Sequence, residues 1–235
     1  MSKDRSLFQE KLVGLYLRLN GYFQTGYIPH SDVWGQNGTD FDRCAIRFPK
    51  HSQPERGIGD CPALKVPAGT IDIVLAEVKN SALTFNETIK TNGLRAVENW
   101  GQFLRWAGLF EEDEINIIIP KLLLLIDEDG IKDGENFKTV FHKTAFGEVT
   151  IRPIIFSIEV VHDKDNLKIW INGKEVIDYI WTCLCPDTPR VDCSTRYSFE
   201  AWGFEYANLV QEFKDRHKQN LGKPSTTDLY NKFNV

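Results

Sequence analysis

The sequence predicts an α/β fold: a central mixed sheet flanked by helices, with an additional strand and helices in the C-terminal part. Three observations carry this expectation. Apolar residues recur at helical spacing over residues 5 to 20 and again over 87 to 109. Between them Ile71-Asp72-Ile73-Val74-Leu75-Ala76-Glu77-Val78 is the strongest strand signal in the chain, and Thr150 to Val161 is a second β-rich run. With 235 residues, 42% of them hydrophobic and 26% charged, the chain suits one large domain with a real core. That composition excludes a disordered chain and a disulfide-stapled miniprotein.

The first helix has Phe8, Leu12, Leu15, Tyr16 and Leu19 three and four apart, and Asn20-Gly21 stops it. Tyr22 to Ile28 is a short first strand, Gly35 to Thr39 a polar turn, and Phe41 to Phe48 a second strand ended by Pro49. Residues 49 to 69 are rich in Pro and Gly and read as a long excursion between strands, of a length that is often functional. After the strand from Thr70 to Val78, a helix is expected from about Glu87 to Leu109, with Leu94, Val97, Gly101, Leu104 and Ala107 on one face. Residues 113 to 126 leave both states open: their isoleucines favour strand, while their length allows a helix kinked at Pro120.

Beyond Val161 a turn is expected at Asp163 to Asn166 and a short strand at Leu167 to Ile171. Asn172 caps a helix from Gly173 to about Leu184, and Ser198 to about His217 is the last long helix. From Lys218 onward Gly, Pro, Ser and Thr predict a loosely held tail. The expected organisation is thus one domain over residues 1–217, divided into core motifs at 7–109 and an elaboration at 110–217, with a tail at 218–235.

The 28 basic and 33 acidic residues leave a net charge of −5, so nucleic acid would need a local basic face or bound metal ions. Arg43, Arg47, Lys50, Arg56, Lys65, Lys90, Arg95 and Arg105 either supply that rim or are scattered solvated charges. Five cysteines with no secretion signal predict reduced thiols; Cys183, Cys185 and Cys193 cluster without a fourth ligand and read as small hydrophobes. The longest apolar run, Ile115 to Ile126, is broken by Asn116, Pro120 and Lys121, so no membrane span is expected. Met1 to Arg5 leads straight into the first helix, which predicts a soluble cytoplasmic protein. The tryptophans at 100, 106, 170, 181 and 202 fall among apolar positions and read as core. There is no P-loop, G-x-G-x-x-G, G-x-S-x-G or H-E-x-x-H.

The chemistry lies in residues 38 to 80. Alternate side chains of a strand share a face, so Glu77 and Lys79 point the same way at the end of an otherwise apolar strand, and Asp72 points the other way. In the preceding strand Asp40, Asp42, Cys44 and Ile46 share a face. If the two strands pair as a hairpin, Asp42 (and Asp40) comes to lie beside Glu77 and Lys79. Carboxylates are the protein ligands of Mg²⁺, and a lysine beside them can orient or deprotonate a water. E-x-K alone also describes an ordinary surface ion pair; its place in an apolar strand, where charge is costly, favours chemistry.

These residues resemble the core of the PD-(D/E)xK superfamily, the restriction-endonuclease-like nucleases: Asp42, 34 intervening residues, then Glu77-Val78-Lys79. Glu10-Lys11-Leu12-Val13 followed by Asn20-Gly21-Tyr22 is similar to the first helix of Mrr-like members, and Gly38 to Pro49 with Ala76 to Asn80 resembles the same group. The resemblance covers residues 7 to about 109. It implies a restriction-endonuclease-like sheet and a Mg²⁺- or Mn²⁺-dependent nuclease hydrolysing phosphodiester bonds, with DNA the first substrate to consider, in bacterial defence or DNA processing. Asp42 and Glu77 would be metal ligands, Lys79 the catalytic lysine, Glu10 an accessory acid and metal ligand from the first helix, and Gln102 a further candidate on the helix after the lysine strand. The excursion at 49–69 would elaborate the site, with His30 and His51 in loops flanking it. The alternative is a catalytically silent nucleic-acid-binding or assembly module, alone, as a homodimer or with a partner subunit.

Overall fold

The computed structural model describes residues 3–27, 41–81, 83–90, 95–127, 137–159, 170–187 and 199–235. The helices are α1 (Lys3–Leu19), α2 (Ala96–Ala107), α3 (Glu112–Asp127), α4 (Gly173–Leu184), α5 (Gly203–Lys218) and α6 (Thr226–Phe233). The strands are β1 (Phe23–Tyr27), β2 (Phe41–Arg47), β3 (Ile71–Lys79), β4 (Val140–Thr144), β5 (Gly147–Ser157) and β6 (Trp170–Asn172).

All six strands form one mixed sheet in the order β1-β2-β3-β5-β4, with β6 also paired to β5. β1, β2 and β3 run antiparallel in succession, and β5 lies parallel to β3 from Ile71↔Val149 to Lys79↔Ser157. A parallel neighbour requires a crossover, which α2 and α3 provide. Val74, Ala76 and Val78 of β3 enter one apolar core with Leu12, Leu15 and Tyr16 of α1 and residues of α4, α5 and α6. Ile71, Ile73 and Leu75 enter a second core with Trp100, Phe103 and Leu104 of α2 and Ile115, Ile118 and Leu122 of α3. Helices thus cover both faces, which is why β3 reads as one continuous apolar run rather than an alternating one. No helix of the described residues is long and apolar enough to cross a membrane.

Several expectations change. The ambiguous segment is helix α3: Ile115, Ile118, Ile119, Leu122 and Ile126 are buried at helical spacing, and Pro120 sits on the exposed side of the unbroken helix. Helix α2 begins only at Ala96, and Glu87–Ile89 is a separate 3₁₀ turn. The last long helix begins at Gly203 after a 3₁₀ turn at Phe199–Trp202. β4, which hairpins with β5 through Thr144↔Gly147, was not expected. Asn172 does cap α4, and Glu175 answers it in a capping box. Of the five tryptophans read as core, Trp100 is fully buried but Trp106 is half-exposed.

Residues 218–235 are not loosely held. Ser225 and Asp228 cap α6, its Leu229 and Tyr230 are buried, and Phe8 of α1 packs on Tyr230 and Phe233 at 5.9 and 5.1 Å. His30, Asp40, Leu94, Cys193 and Ser198, and the turns at 35–39 and 163–166, lie outside the described residues. Cys44, Cys61, Cys183 and Cys185 are buried thiols; burial pushes those of Cys44 and Cys185 up to about 12.

Asp72 is the charge that β3 buries on the α1 face. Arg152 of β5 grips it through Nε at 2.9 Å and Nη2 at 2.5 Å; Thr150 donates to it at 2.7 Å, and the Tyr22 hydroxyl donates as well. Burial alone would lower the Arg152 pKa, but the facing Asp72 carboxylate outweighs it, and the net direction is upward. Arg152 Nη1 also donates to the Leu64 carbonyl at 2.7 Å, pinning the 49–69 excursion to the sheet.

Candidate active site

Antiparallel pairing brings the start of β2 to the end of β3. The register Arg43↔Ala76 and Cys44↔Leu75, continued by one residue, sets Asp42 opposite Glu77. Glu77 continues the side of Ile71, Ile73 and Leu75, so both carboxylates belong to the face covered by α2 and α3. Asp42 and Glu77 are therefore neighbours across two strands, although 34 residues separate them in the chain.

Glu77 is 2% exposed, and its Oε1 accepts from Lys79 Nζ at 2.5 Å. The Lys79 side chain keeps 22% exposure, and Nζ donates a second hydrogen bond to Asn86 Oδ1 at 2.7 Å. Asp42 Oδ2 accepts from the backbone N–H of Val78 at 2.7 Å, so the acid of β2 is tied to the residue between Glu77 and Lys79. The strand end is held by the two residues that follow β5, where the Ile158 and Glu159 N–H groups donate to the Lys79 and Asn80 carbonyls at 3.0 and 2.8 Å. An acidic pair with a half-covered ammonium between it and solvent is an arrangement that can bind a hard cation and orient water.

Residue by residue, the structure brings Asp42, Glu77 and Lys79 together. Glu10 does not join them in a three-ligand set: among the described residues no three His, Cys, Asp or Glu side chains are grouped to hold a metal ion. Helix α1 packs on the opposite face of the sheet, and the side chain it sends to the end of β3 is Gln9. Gln9 is buried, and its Nε2 donates to Asn80 Oδ1 at 2.9 Å and to the Tyr230 hydroxyl at 2.6 Å. One residue further round the helix, by about 100°, Glu10 is half-buried. Gln102 lies on α2, in the layer over the site, but its amide nitrogen reaches Glu98 at 3.3 Å.

Asn86 and Gln9 were not foreseen. The sequence signal for Asn86 is its place in a short loop seven residues after Lys79; Gln9 is one polar residue on the apolar side of an amphipathic helix. The 49–69 excursion does not elaborate the site. It joins the end of β2 to the start of β3, the end of the sheet away from Asp42 and Glu77, where Cys61 N–H donates to Asn20 Oδ1 at 2.7 Å and the Tyr179 hydroxyl to the Gly59 carbonyl at 3.0 Å. His51 lies there too, its ring filling the space a Cβ on Gly21 (φ +86°) would need.

Of the basic residues that could form a rim or be scattered charges, several are taken up by ion pairs. Arg43 meets Glu205 at 2.5 Å, Arg47 meets Asp60 at 2.9 Å, Lys90 meets Glu87 at 3.0 Å and Arg105 pairs with Glu112. Arg43 and Arg47 fall on the α1 side of β2 by strand alternation, away from the acids.

No protein-family model matches this chain, and no curated protein and no solved structure matches it. The structure establishes an α/β architecture with a six-stranded mixed sheet.

Proposed function

We propose that this chain is a metal-dependent nuclease of the restriction-endonuclease-like kind, hydrolysing phosphodiester bonds of DNA. The observation that supports it is the meeting of Asp42, Glu77 and Lys79 at one end and on one face of the central strands, with Glu77 almost fully buried at the edge of an apolar core. Keeping charge in such a place is costly without a use for it. The mixed sheet with helices on both faces suits the same reading.

The donor set fits a hard divalent cation. Asp42 and Glu77 would hold Mg²⁺ or Mn²⁺, and one or two carboxylates are what Mg²⁺ commonly takes from protein, with water and substrate phosphate completing its shell. Bound there, the ion would lower the pKa of a water and neutralise charge on the phosphoryl group. Lys79, held between Glu77 and Asn86, would position or activate the attacking water. The water oxygen bonds to phosphorus as the bond to the leaving oxygen breaks; the water gives up one proton to solvent, and the leaving oxygen takes one from solvent to become a hydroxyl. Asp42, through Val78 N–H, fixes the relative position of the two strands during this exchange.

The test is cleavage of supercoiled and linear DNA with Mg²⁺ or Mn²⁺, comparing the native chain with Glu77→Gln and Lys79→Ala. Nicking or degradation by the native chain alone supports the nuclease. Equal residual activity in all three removes the site, and salt-sensitive binding without cleavage leaves a silent nucleic-acid-binding module.

A second reading has its own observation: Lys79 already neutralises Glu77, and Asp42 already caps the Val78 N–H, as in a purely structural strand end. Mn²⁺ titration during thermal unfolding separates the two. A metal site raises the melting temperature with Mn²⁺, and Asp42→Asn abolishes the rise; a structural ion pair gives no rise.

A further inference from the structure

We infer that Trp106 is a base-stacking platform beside the proposed site, so that the strand cleaved there offers an unpaired base. The inference rests on the nuclease reading and names the substrate class within it: single-stranded or locally unpaired nucleic acid.

Trp106 lies in the last turn of α2 and is 51% exposed. One side of the indole is supported: its ring centre is 4.9 Å from Tyr27 at a 44° tilt and 6.3 Å from Phe103. Both supports lead to the site. Tyr27 stacks on Phe41 at 6.5 Å, and Phe103 meets Phe41 edge-on at 5.5 Å. Phe41 is the residue before Asp42, and Trp100 backs it at 5.2 Å. A continuous bank of rings therefore runs from the neighbour of the metal-binding acid to a half-open indole at the surface.

Position separates this ring from the other exposed aromatics. Phe23 and Phe48 form their edge-on pair at the opposite end of the sheet, where β1 begins and β2 ends. Phe141 and Phe146 belong to the β4–β5 hairpin, and Phe204 to the start of α5 on the α1 face. Trp106 alone of these is joined by ring contacts to a residue adjoining Asp42. A large aromatic left half in water on a buried, immobile support loses little freedom when a second flat ring covers it. Nucleobases stack this way regardless of sequence, and each stack strengthens single-strand binding by about fivefold to a hundredfold. The interior bases of a duplex are stacked on one another and have no face to offer, so the platform selects for unpaired bases.

The experiment is anisotropy titration of a labelled single-stranded oligodeoxynucleotide and of its blunt duplex, in EDTA, using the native chain, Trp106→Ala, Trp106→Leu and Trp106→Phe. Trp106→Leu keeps an apolar contact with Tyr27 without a flat face, so it guards against loss of folding in the alanine variant. The expected result is single-strand binding weakened by about fivefold or more in Ala and Leu, largely restored in Phe, with duplex binding unchanged and the melting temperature of Leu and Phe near native. Native-like single-strand binding by Leu overturns the platform, as does equal loss on single strand and duplex; metal-dependent cleavage that is lost in Lys79→Ala would then leave the nuclease reading standing. A native chain that neither binds nor cleaves any nucleic acid overturns both.

Discussion

The Asp42 carboxylate accepts a hydrogen bond from the backbone N–H of Val78 at 2.7 Å, so the acid contributed by one strand is anchored to the peptide midway between Glu77 and Lys79 on the next. That bond has two separable roles: holding the strand ends in register and presenting a negative charge. Asp42→Asn keeps an acceptor oxygen and removes the charge. It is expected to leave the melting temperature within a few degrees of native and to reduce metal-dependent cleavage by about a hundredfold or more. Asp42→Ala loses the bond as well and should cost a further ~1 kcal/mol of stability, read by urea unfolding alongside the activity assay.

Lys79 and Glu77 should behave as a coupled pair. Removing the ammonium in Lys79→Met leaves the buried Glu77 carboxylate without its charged partner, an outcome expected to destabilise by roughly 1–3 kcal/mol. Glu77→Gln in the same chain should return much of the loss. A double-mutant cycle in urea measures the coupling; additive effects would mean that the 2.5 Å contact contributes nothing to folding. Neither single variant nor the double should retain cleavage.

Asn86 is expected to tune Lys79 without touching the Asp42 and Glu77 carboxylates. Its side-chain oxygen accepts from Nζ at 2.7 Å, and Asn86→Leu removes that acceptor at similar volume. The variant should fold with near-native stability, since the residue sits in a surface loop, and show a cleavage rate lowered by about tenfold. An unchanged rate would make Asn86 a bystander.

The Asp72–Arg152 pair predicts the largest effect on stability. Both side chains are at most 2% exposed, and Arg152→Met would strand a buried carboxylate, costing roughly 3–5 kcal/mol. The double variant Asp72→Leu, Arg152→Met should recover part of this, although it gives up the bond that pins the Leu64 carbonyl. Guanidinium unfolding of the single and double variants decides it.

Acid should loosen the cap of α6 only below about pH 4. Hydrogen bonds from the Ser225 backbone N–H and hydroxyl hold the Asp228 carboxyl below the usual carboxylate range. A lowered folded-state pKa means that the ionised form stabilises the fold. That contribution is complete above the unfolded value of about 3.9 and is lost as pH falls through the lower folded value. Melting temperatures measured downward from about pH 4 should therefore drop less steeply for Asp228→Asn than for the native chain. Leu229→Ala, by contrast, should cost about 2–4 kcal/mol at every pH, because it empties a fully buried site.

The parts legible in the sequence were those governed by short-range periodicity. The parity of Ile71 to Lys79 was enough to set Glu77 and Lys79 on one side and Asp72 on the other, and the pairing with β2 followed from one assumed hairpin. Position along the sheet was harder. A connection from the end of β2 to the start of β3 must lie at the opposite end from residues at the start of β2 and the end of β3, so the 49–69 excursion could have been placed by topology alone. Arg152 carries a signal of its own: a cation inside Ile151 to Phe156 needs a buried anion, and Asp72 is the acid that the neighbouring strand buries on the same face. For residues 218–235 the Gly and Pro content outweighed Ser225-x-x-Asp228 followed by Leu229-Tyr230, a cap and two buried anchors. α3 was ambiguous because β-branched residues and a proline are weak helix formers that packing can override. Trp106 looked like core because sequence alone shows that an aromatic belongs to an apolar stripe, but not which edge of the stripe meets water.

The contact of α1 with α6 sets the order in which the protein can finish itself during translation. Phe8 and Gln9 leave the ribosome early, yet Tyr230 and Phe233, which cover them, lie more than 200 residues later. At roughly 5–20 residues per second, Phe8 and Gln9 wait on the order of ten seconds or more for the side chains that cover them, while the rest of the apolar side of α1 is covered by the sheet, α4 and α5. Closure of this seam is then a late event, and a nascent chain stalled short of α6 leaves Phe8 and Gln9 without their final cover.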